Sequence, residues 1–371
     1  MRGQARVQNE LFSYIPLESR VPSDHPLRRL RELADGVLEG MSQEFDAIYS
    51  ATGRPSIAPE MLLKALFLQV LYGIRSEYQL LEQIRFNLLY RWFVGLGPDN
   101  KVWDESVFTK NRERLLDGEI ADVFFSAVVK LADSKGLVSE QHFTVDGTLI
   151  EAWASLKSFQ PKSEDGDDTG SHDDGDPGNP SVDFHGQTRS NATHQSRTDP
   201  DAKLYRKSKG TTAKLNFTGN IMMENRHGLA VGAMVNQAGY YAEHDAALEM
   251  AIVQGKPQDR TLGADKHYDN DYLCTALKIL KIRPHVAQNI HSHKKTSAVD
   301  KRTTRHEGYA VSQKKRKRVE EIFGWLKQWS IMRRSHFRGL GRLSFQFKFS
   351  VATYNLLRIS NILTRQELQH A

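Results

Sequence analysis

Cysteine is almost missing from this chain: Cys274 is the one thiol in 371 residues. A single thiol closes no internal disulfide and builds no zinc cage, which fits a reducing cytosol and removes Cys-based metal sites. Long apolar runs are missing as well. No stretch reaches the roughly 18 uninterrupted apolar residues that a membrane span requires. The opening Met1-Arg2-Gly3-Gln4-Ala5-Arg6 is not followed by an apolar segment of the kind a secretory leader carries. A cytoplasmic protein with no membrane partner is the expectation. Acids are scarce near the C-terminus: Lys301 to Ala371 holds 16 Lys/Arg against 4 Asp/Glu, whereas Glu164 to Asp176 holds seven acids and no Lys or Arg. The net charge of +6 therefore understates a segregated pattern. A long basic segment points to a polyanion, most simply nucleic acid, and a solvated basic face is the plain alternative.

What is present is enough for two or three domains. With 39% apolar and 26% charged residues the composition is that of an ordinary globular protein. Residues 26–116 read as helical. Pro59 stands at a first helical position, followed by Met61, Leu62, Ala65, Leu66, Leu68 and Leu71 at helical spacing. Ser76 with Gln79 opens a second helix as a capping box, running through Leu80, Leu81, Ile84, Leu88 and Trp92. A third helix after Asp104 carries Ser106, Thr109, Lys110, Arg112 and Arg114, and its basic, hydroxyl-rich character suits DNA phosphates and base edges or, equally, a plain surface. The expected division is a helical, DNA-binding domain over 1–118 and a second domain over 119–371.

The second domain reads as mixed α/β. His142 to Leu149 is strand-like, with Asp146 at its polar end. Residues 157–201 are rich in Asp, Gly, Ser, Asn and Pro, and predict a disordered acidic insert that points away from DNA or screens the basic face. Two apolar runs, 215–223 and 229–235, flank Asn225-Arg226-His227-Gly228 as a hairpin. A helix over 244–253, a strand over 260–264 ending at Asp265, a helix over 272–282, a short strand over 285–287 and a basic helix over 312–328 follow. On that last helix, at about 100° per residue, Glu320 lies about 40° and Lys327 about 20° from Arg316, so a carboxylate projects between two cations. Val319, Ile322, Phe323 and Leu326 form the stripe that docks the helix. Phosphodiester cleavage needs an activated attacking oxygen and a stabilised leaving oxygen, and a pair of hard cations held by a few carboxylates supplies both. Asp146, Asp265 and Glu320 are the candidates, with Arg316 and Lys327 on phosphates. Spacing alone does not show that they converge.

The run from Gln313 to Lys327 resembles the Y-R-E-K motif of bacterial insertion-sequence transposases of the DDE type, in the branch called insertion sequence five. Arg316, Glu320 and Lys327 fit that motif's spacing and favour Glu320 over Glu321. Val145-Asp146-Gly147-Thr148 is similar to the family's first catalytic segment, and Asp265-Lys266-His267-Tyr268-Asp269 to its second. The stretch from Trp103 to Arg112 is similar to part of the helical domain that precedes the core. The chain departs at Gln313, where the motif has Tyr, with Tyr309 four residues earlier, and at His267, where a small residue is usual.

The resemblance implies a ribonuclease-H-like five-stranded mixed sheet with flanking helices, behind an all-α N-terminal domain. It implies two Mg²⁺ or Mn²⁺ ions on Asp146, Asp265 and Glu320; DNA contacts are expected from Arg316, Lys327 and Lys266, and from Lys110, Arg112 and Arg114 of the third N-terminal helix. It implies cleavage of double-stranded DNA at element ends, attack of the freed 3′-hydroxyl on target DNA, at least a homodimer on DNA, and a nucleoid-associated location. A simple nuclease would share the three acids without needing the helical domain, and a decayed homologue would bind DNA without cutting. A zinc site at His291 and His293 has no Cys or carboxylate beside it and reads better as a polar loop.

Overall fold

The computed structural model describes residues 15–370 apart from 51, 53–55, 118, 163–181, 185–186, 207–209, 256–259, 291–295 and 331. Helices fill the chain ahead of residue 142: α1 (Leu17–Arg20), α2 (Pro26–Glu39), α3 (Ser42–Ile48), α4 (Pro59–Leu71), α5 (Glu77–Phe86), α6 (Leu88–Val94), α7 (Glu105–Asp117) and α8 (Ile120–Ser134). Pro59 opens α4, and Ser76 Oγ accepts the Gln79 N–H at 3.1 Å, the predicted cap of α5. The helix expected to run from Ser76 through Trp92 is instead two. Asn87 leaves helical geometry and turns its side-chain oxygen onto the Leu89 and Tyr90 N–H groups, starting α6. Gly95, at φ +96°, ends it.

The sheet is mixed. Strand β1 (His142–Glu151) is followed by two small ladders, β2 (Phe159–Pro161) with β5 (His194–Ser196) and β3 (Val182–Phe184) with β4 (Gln187–Arg189). The main sheet adds β6 (Lys203–Tyr205), β7 (Lys214–Glu224), β8 (Ala230–Gln237), β9 (Arg260–Ala264) and β10 (Ile282–Val286). Its order is β10-β9-β1-β7-β6, with β8 also on β7. β1 pairs antiparallel with β7 and parallel with β9, and β10 pairs parallel with β9. β7 and β8 form the predicted hairpin. Its turn is closed by the buried Glu224 carboxylate, which accepts the N–H groups of Arg226, His227 and Leu229. The sheet has one strand more than the expected five, the short β6 just after the insert.

Alternation along β1 sorts its side chains between two cores. Phe143 and Val145 face α9 (Ala242–Val253) and α10 (Asp271–Ile279). Ile150 faces the other core, which also holds α8, α13 (Val319–Gln328) and α14 (Leu340–His370). The same core contains Leu30, Leu63, Phe67 and Phe93 of the N-terminal helices, so apolar packing runs unbroken across residue 118. The basic helix predicted over 312–328 begins earlier, as α12 (Glu307–Lys315) behind a short α11 (Lys301–Arg305), and passes through a 3₁₀ turn at Arg316–Arg318 before α13.

Disorder across all of 157–201 does not hold at the ends of that segment. Phe159 stacks on His194 with ring centroids 5.6 Å apart, and Ser196 and Asp199 are buried. Asp199 and Asp201 accept the Gly339 and Leu340 N–H groups where α14 begins. Short polar side chains order these flanks by serving backbone donors, a mechanism that an apolar-burial argument passes over. The acidic run Glu164 to Asp176 lies outside the described residues. Among the described residues no helix is long and apolar enough to cross a membrane.

Candidate active site

Asp146 lies in the middle of β1, not at its end, because the strand continues to Glu151. Its position is nonetheless an edge of a different kind. β9 pairs with β1 only from His142↔Thr261 to Thr144↔Gly263. Carrying that register two residues further sets Asp146 level with Asp265, the residue that follows β9. Adjacent strands lie about 4.8 Å apart, and in-register parallel neighbours point to the same face. Both carboxylates are half-buried. Each keeps one oxygen on a nearby backbone donor: Asp146 Oδ1 takes the Gly147 N–H, and Asp265 Oδ1 the His267 N–H, both at 2.8 Å.

Parity puts these two acids on the side of the sheet that carries Thr144 and Gly263. A Cβ built on Gly263 would lie 3.8 Å from the Arg316 Cβ, so the 3₁₀ turn sits over this face. Arg316 Nε donates to Gln313 Oε1 at 2.9 Å, and Gln313 Nε2 donates to the His285 carbonyl of β10. Gln313, where the motif has Tyr, therefore ties Arg316 to the sheet. Tyr309 reaches the same strand independently, its hydroxyl donating to the Val286 carbonyl at 3.0 Å.

Glu320 follows one turn later in the first turn of α13, exposed and without a hydrogen bond or ion pair among the described residues. Its neighbour Glu321 is committed to Arg358 of α14 at 3.3 Å. Lys327 is half-buried two turns on. Each 3₁₀ step adds about 20° to the α-helical advance, so Glu320 is turned tens of degrees further from Arg316 than a continuous α-helix predicts. Among the described residues no three His, Cys, Asp or Glu side chains form a ready-made ion cage. The fold aligns Asp146 with Asp265 and presents Glu320 from the helix above the same face, without closing it onto them.

The segment after Asp265 divides its labour. Lys266 is exposed. His267 is accommodated rather than crowded: its ring lies 5.4 Å from Tyr240 and 5.0 Å from His244. His244 is fully buried and held below the usual imidazole range by desolvation. Tyr268 is buried, and burial followed by the carboxylates of Glu243, Asp146 and Asp265 holds its hydroxyl well above the usual phenol range. Asp269 is structural: it accepts from Asn289 N, Ser297 Oγ and Ala298 N, fastening the segment after β10. Glu243, in the first turn of α9 and 9% exposed, belongs to no motif the sequence displays, and its acidic neighbourhood depends on contacts about a hundred residues apart.

The basic positions of α7 separate. Lys110 and Arg114 are exposed. Arg112 is not available to DNA: it is buried, bonded to Glu77 and Glu113, and its guanidinium lies 4.8 Å over the Phe337 ring. His291 and His293 lie outside the described residues.

Residues 15–114 match the Transposase domain (DUF772) family, and residues 272–360 match the Transposase DDE domain. No curated protein matches the chain. Two solved structures show a loose likeness. A piggyBac transposase synaptic complex with hairpin DNA gives TM-score 0.39 at 10% identity, covering 93% of this chain and 77% of the other. A pre-cleavage Mos1 transpososome gives TM-score 0.19 at 12% identity, covering 86% of this chain and 82% of the other. At those scores neither likeness carries an argument. The two domain matches define the class: this is a DNA transposase. More particularly, it is an enzyme of the DDE type, a nuclease and transesterase, and the segment matched to the DDE domain contains Arg316, Glu320 and Lys327. Asp146 and Asp265 lie outside both matched segments.

Proposed function

We propose that the chain is an insertion-sequence transposase of the insertion-sequence-five type, with Asp146, Asp265 and Glu320 as its catalytic acids. The observation that carries this is the register of β1 with parallel β9, which extended two residues sets Asp146 level with Asp265 just past the end of β9, on the face covered by the 3₁₀ turn of Arg316 that leads into the helix of Glu320. The strand order, with β1 between an antiparallel β7–β8 hairpin and parallel β9 and β10, agrees with a ribonuclease-H-like core. Carboxylate oxygens with room for water suit Mg²⁺ or Mn²⁺, and such ions when bound activate an attacking oxygen and stabilise a leaving one. In this reading Asp146 and Asp265 hold them, with Glu320 completing the set once its helix moves in. Arg316, already braced by Gln313, together with Lys327 and Lys266 takes backbone phosphates; Lys110 and Arg114 contribute at element ends. The same centre serves hydrolysis at the ends and attack of the 3′-hydroxyl on target DNA, both in-line displacements at phosphorus. Two ends handled together require at least a dimer on DNA.

The test uses a plasmid carrying the element with its flanking sequence. Asp146→Asn, Asp265→Asn and Glu320→Gln should each abolish nicking in Mg²⁺ or Mn²⁺ while leaving the melting temperature near that of the wild type. Wild-type nicking by any one of them removes that residue from the set.

A further inference from the structure

We infer that Glu243 is a positioning residue of the catalytic centre, acting on cation binding through the Asp146–Gly147 peptide. The inference rests on the assignment of Asp146 and Asp265 above and adds a residue that no motif supplies.

Three observations converge. First, an ideal Cβ on Gly147 would stand 2.6 Å from Glu243 Cδ and 2.7 Å from its Cγ and Oε1. The Glu243 carboxylate thus lies flat against the Cα of Gly147, whose N–H is taken by Asp146 Oδ1 at 2.8 Å. The peptide that aims Asp146 is bonded by Asp146 itself and packed by Glu243 on the side where a Gly147 side chain would lie. A side chain at 147 would displace that carboxylate. Second, Tyr268 is fully buried, and its hydroxyl faces the Glu243 carboxylate. The charges acting on it are those of Glu243, Asp146 and Asp265. Burial is the larger cause of its raised pKa and these carboxylates add to it, so Glu243 acts electrostatically on the same buried hydroxyl as Asp146 and Asp265 where β9 stops pairing with β1. Third, Glu243 is 9% exposed and sits in the first turn of α9, where unpaired helix N–H groups favour an anion. That stabilises one carboxylate but not its proximity to two more. Like charges gathered in a poorly hydrated volume repel one another, and an added cation relieves that repulsion.

Glu243 is offered as a residue that orients a ligand, not as a ligand. Partners of that kind cost about 10- to 100-fold in metal affinity or activity when removed. The experiment compares the wild type, Glu243→Gln, Gly147→Ala and Asp146→Asn as full-length proteins. Mg²⁺ and Mn²⁺ are titrated against melting temperature in the absence of DNA, against DNA affinity in EDTA, and against nicking of the element-bearing plasmid. Glu243→Gln should fold, bind DNA in EDTA as the wild type does, and need roughly 10- to 100-fold more Mg²⁺ for half-maximal thermal shift and nicking. Gly147→Ala should reproduce that shift by displacing the carboxylate. An unchanged Mg²⁺ midpoint in Glu243→Gln overturns the inference, whether or not its melting temperature falls. If Glu243→Gln does not fold, Glu243→Asp keeps the charge on a shorter arm and should show an intermediate midpoint; a wild-type midpoint there overturns the inference equally. Should Asp146→Asn itself nick normally, the catalytic assignment is what fails. Should Asp146→Asn be dead and Glu243→Gln normal, this inference alone falls.

Discussion

Arg112 and Lys110 stand two residues apart on one helix and do unrelated work. A helix carries its residues around all faces, so spacing along α7 tells nothing about which side turns inward until its partners are known. Arg112 falls beside Phe108 and Leu115, and its charge is met by Glu77, 35 residues earlier. Removing one member of such a nearly buried pair leaves the other uncompensated, at a cost of about 3–5 kcal/mol. Arg112→Ala should therefore lower the melting temperature by several degrees. Lys110→Ala should leave it unchanged and weaken DNA binding, with a shallower salt dependence. If instead Arg112→Ala kept full stability and lost DNA affinity, the burial described here would not govern its role. The proposed catalytic acids were legible for the opposite reason: Asp146, Asp265 and Glu320 each sit in a short stretch that resembles a family motif. Glu243 was not, since only the approach of α9 to Gly147 reveals it.

At the level of elements, strands and caps followed from local chemistry. β9 spans Arg260–Ala264, as the apolar run ahead of Asp265 predicts, and the β7–β8 hairpin turns where Asn225 and Gly228 allow it. The breaks inside helices did not, because a side-chain cap such as Asn87 competes with helix continuation by a small margin. α14 was missed outright. Phe345, Phe347, Phe349 and Val351 alternate with polar residues in the manner of a strand, yet they lie on a helix packed against α8, β8 and α2. A helix enclosed on several sides loses the 3.6-residue signature.

The contact between α12 and β10 yields a pH dependence. His285, buried in β10 with Nδ1 2.7 Å from Ser312 Oγ, has its pKa lowered to about 4 by burial and then by nearby His142, His306 and Arg283. In the unfolded chain it titrates near 6.5. The folded state thus takes up this proton later than the unfolded one. The stabilisation is complete above about pH 6.5 and drains away as pH falls toward 4, at no more than roughly 1.4 kcal/mol per pH unit. Urea unfolding at pH 7, 5.5 and 4.5 should show a smaller loss for His285→Gln than for the wild type. Equal losses would show that this imidazole is not held neutral by the fold.

For the whole molecule, the boundary expected at residue 118 marks a change neither of secondary structure, since α8 follows it and β1 begins only at His142, nor of packing. Leu30 of α2, Phe67 of α4, Phe124 of α8, Ile150 of β1 and Phe347 of α14 belong to one apolar cluster. Two matched segments, at 15–114 and 272–360, consequently share a core. Calorimetry should record a single unfolding transition over both, and a chain lacking residues 1–118 should be unfolded or aggregated rather than an isolated nuclease. Two resolved transitions, or a well-folded truncation, would refute that coupling. Sequence reading separated the parts by composition, which cannot show that an apolar surface on one is covered by the other.

The place of α14 in the chain has a temporal consequence. Everything it packs against, from α2 to α13, leaves the ribosome before residue 340 does. A nascent chain halted short of that helix carries the Arg316–Lys327 segment and both aspartates, yet lacks the element that fills the space over Gly219 and Ile150. Domains complete their packing only when the participating segments have been synthesised. A transposase built this way is expected to complete its core only at the end of its own translation, so a chain truncated before residue 340 should be an inert polypeptide, checked by assaying that truncation for folding and nicking.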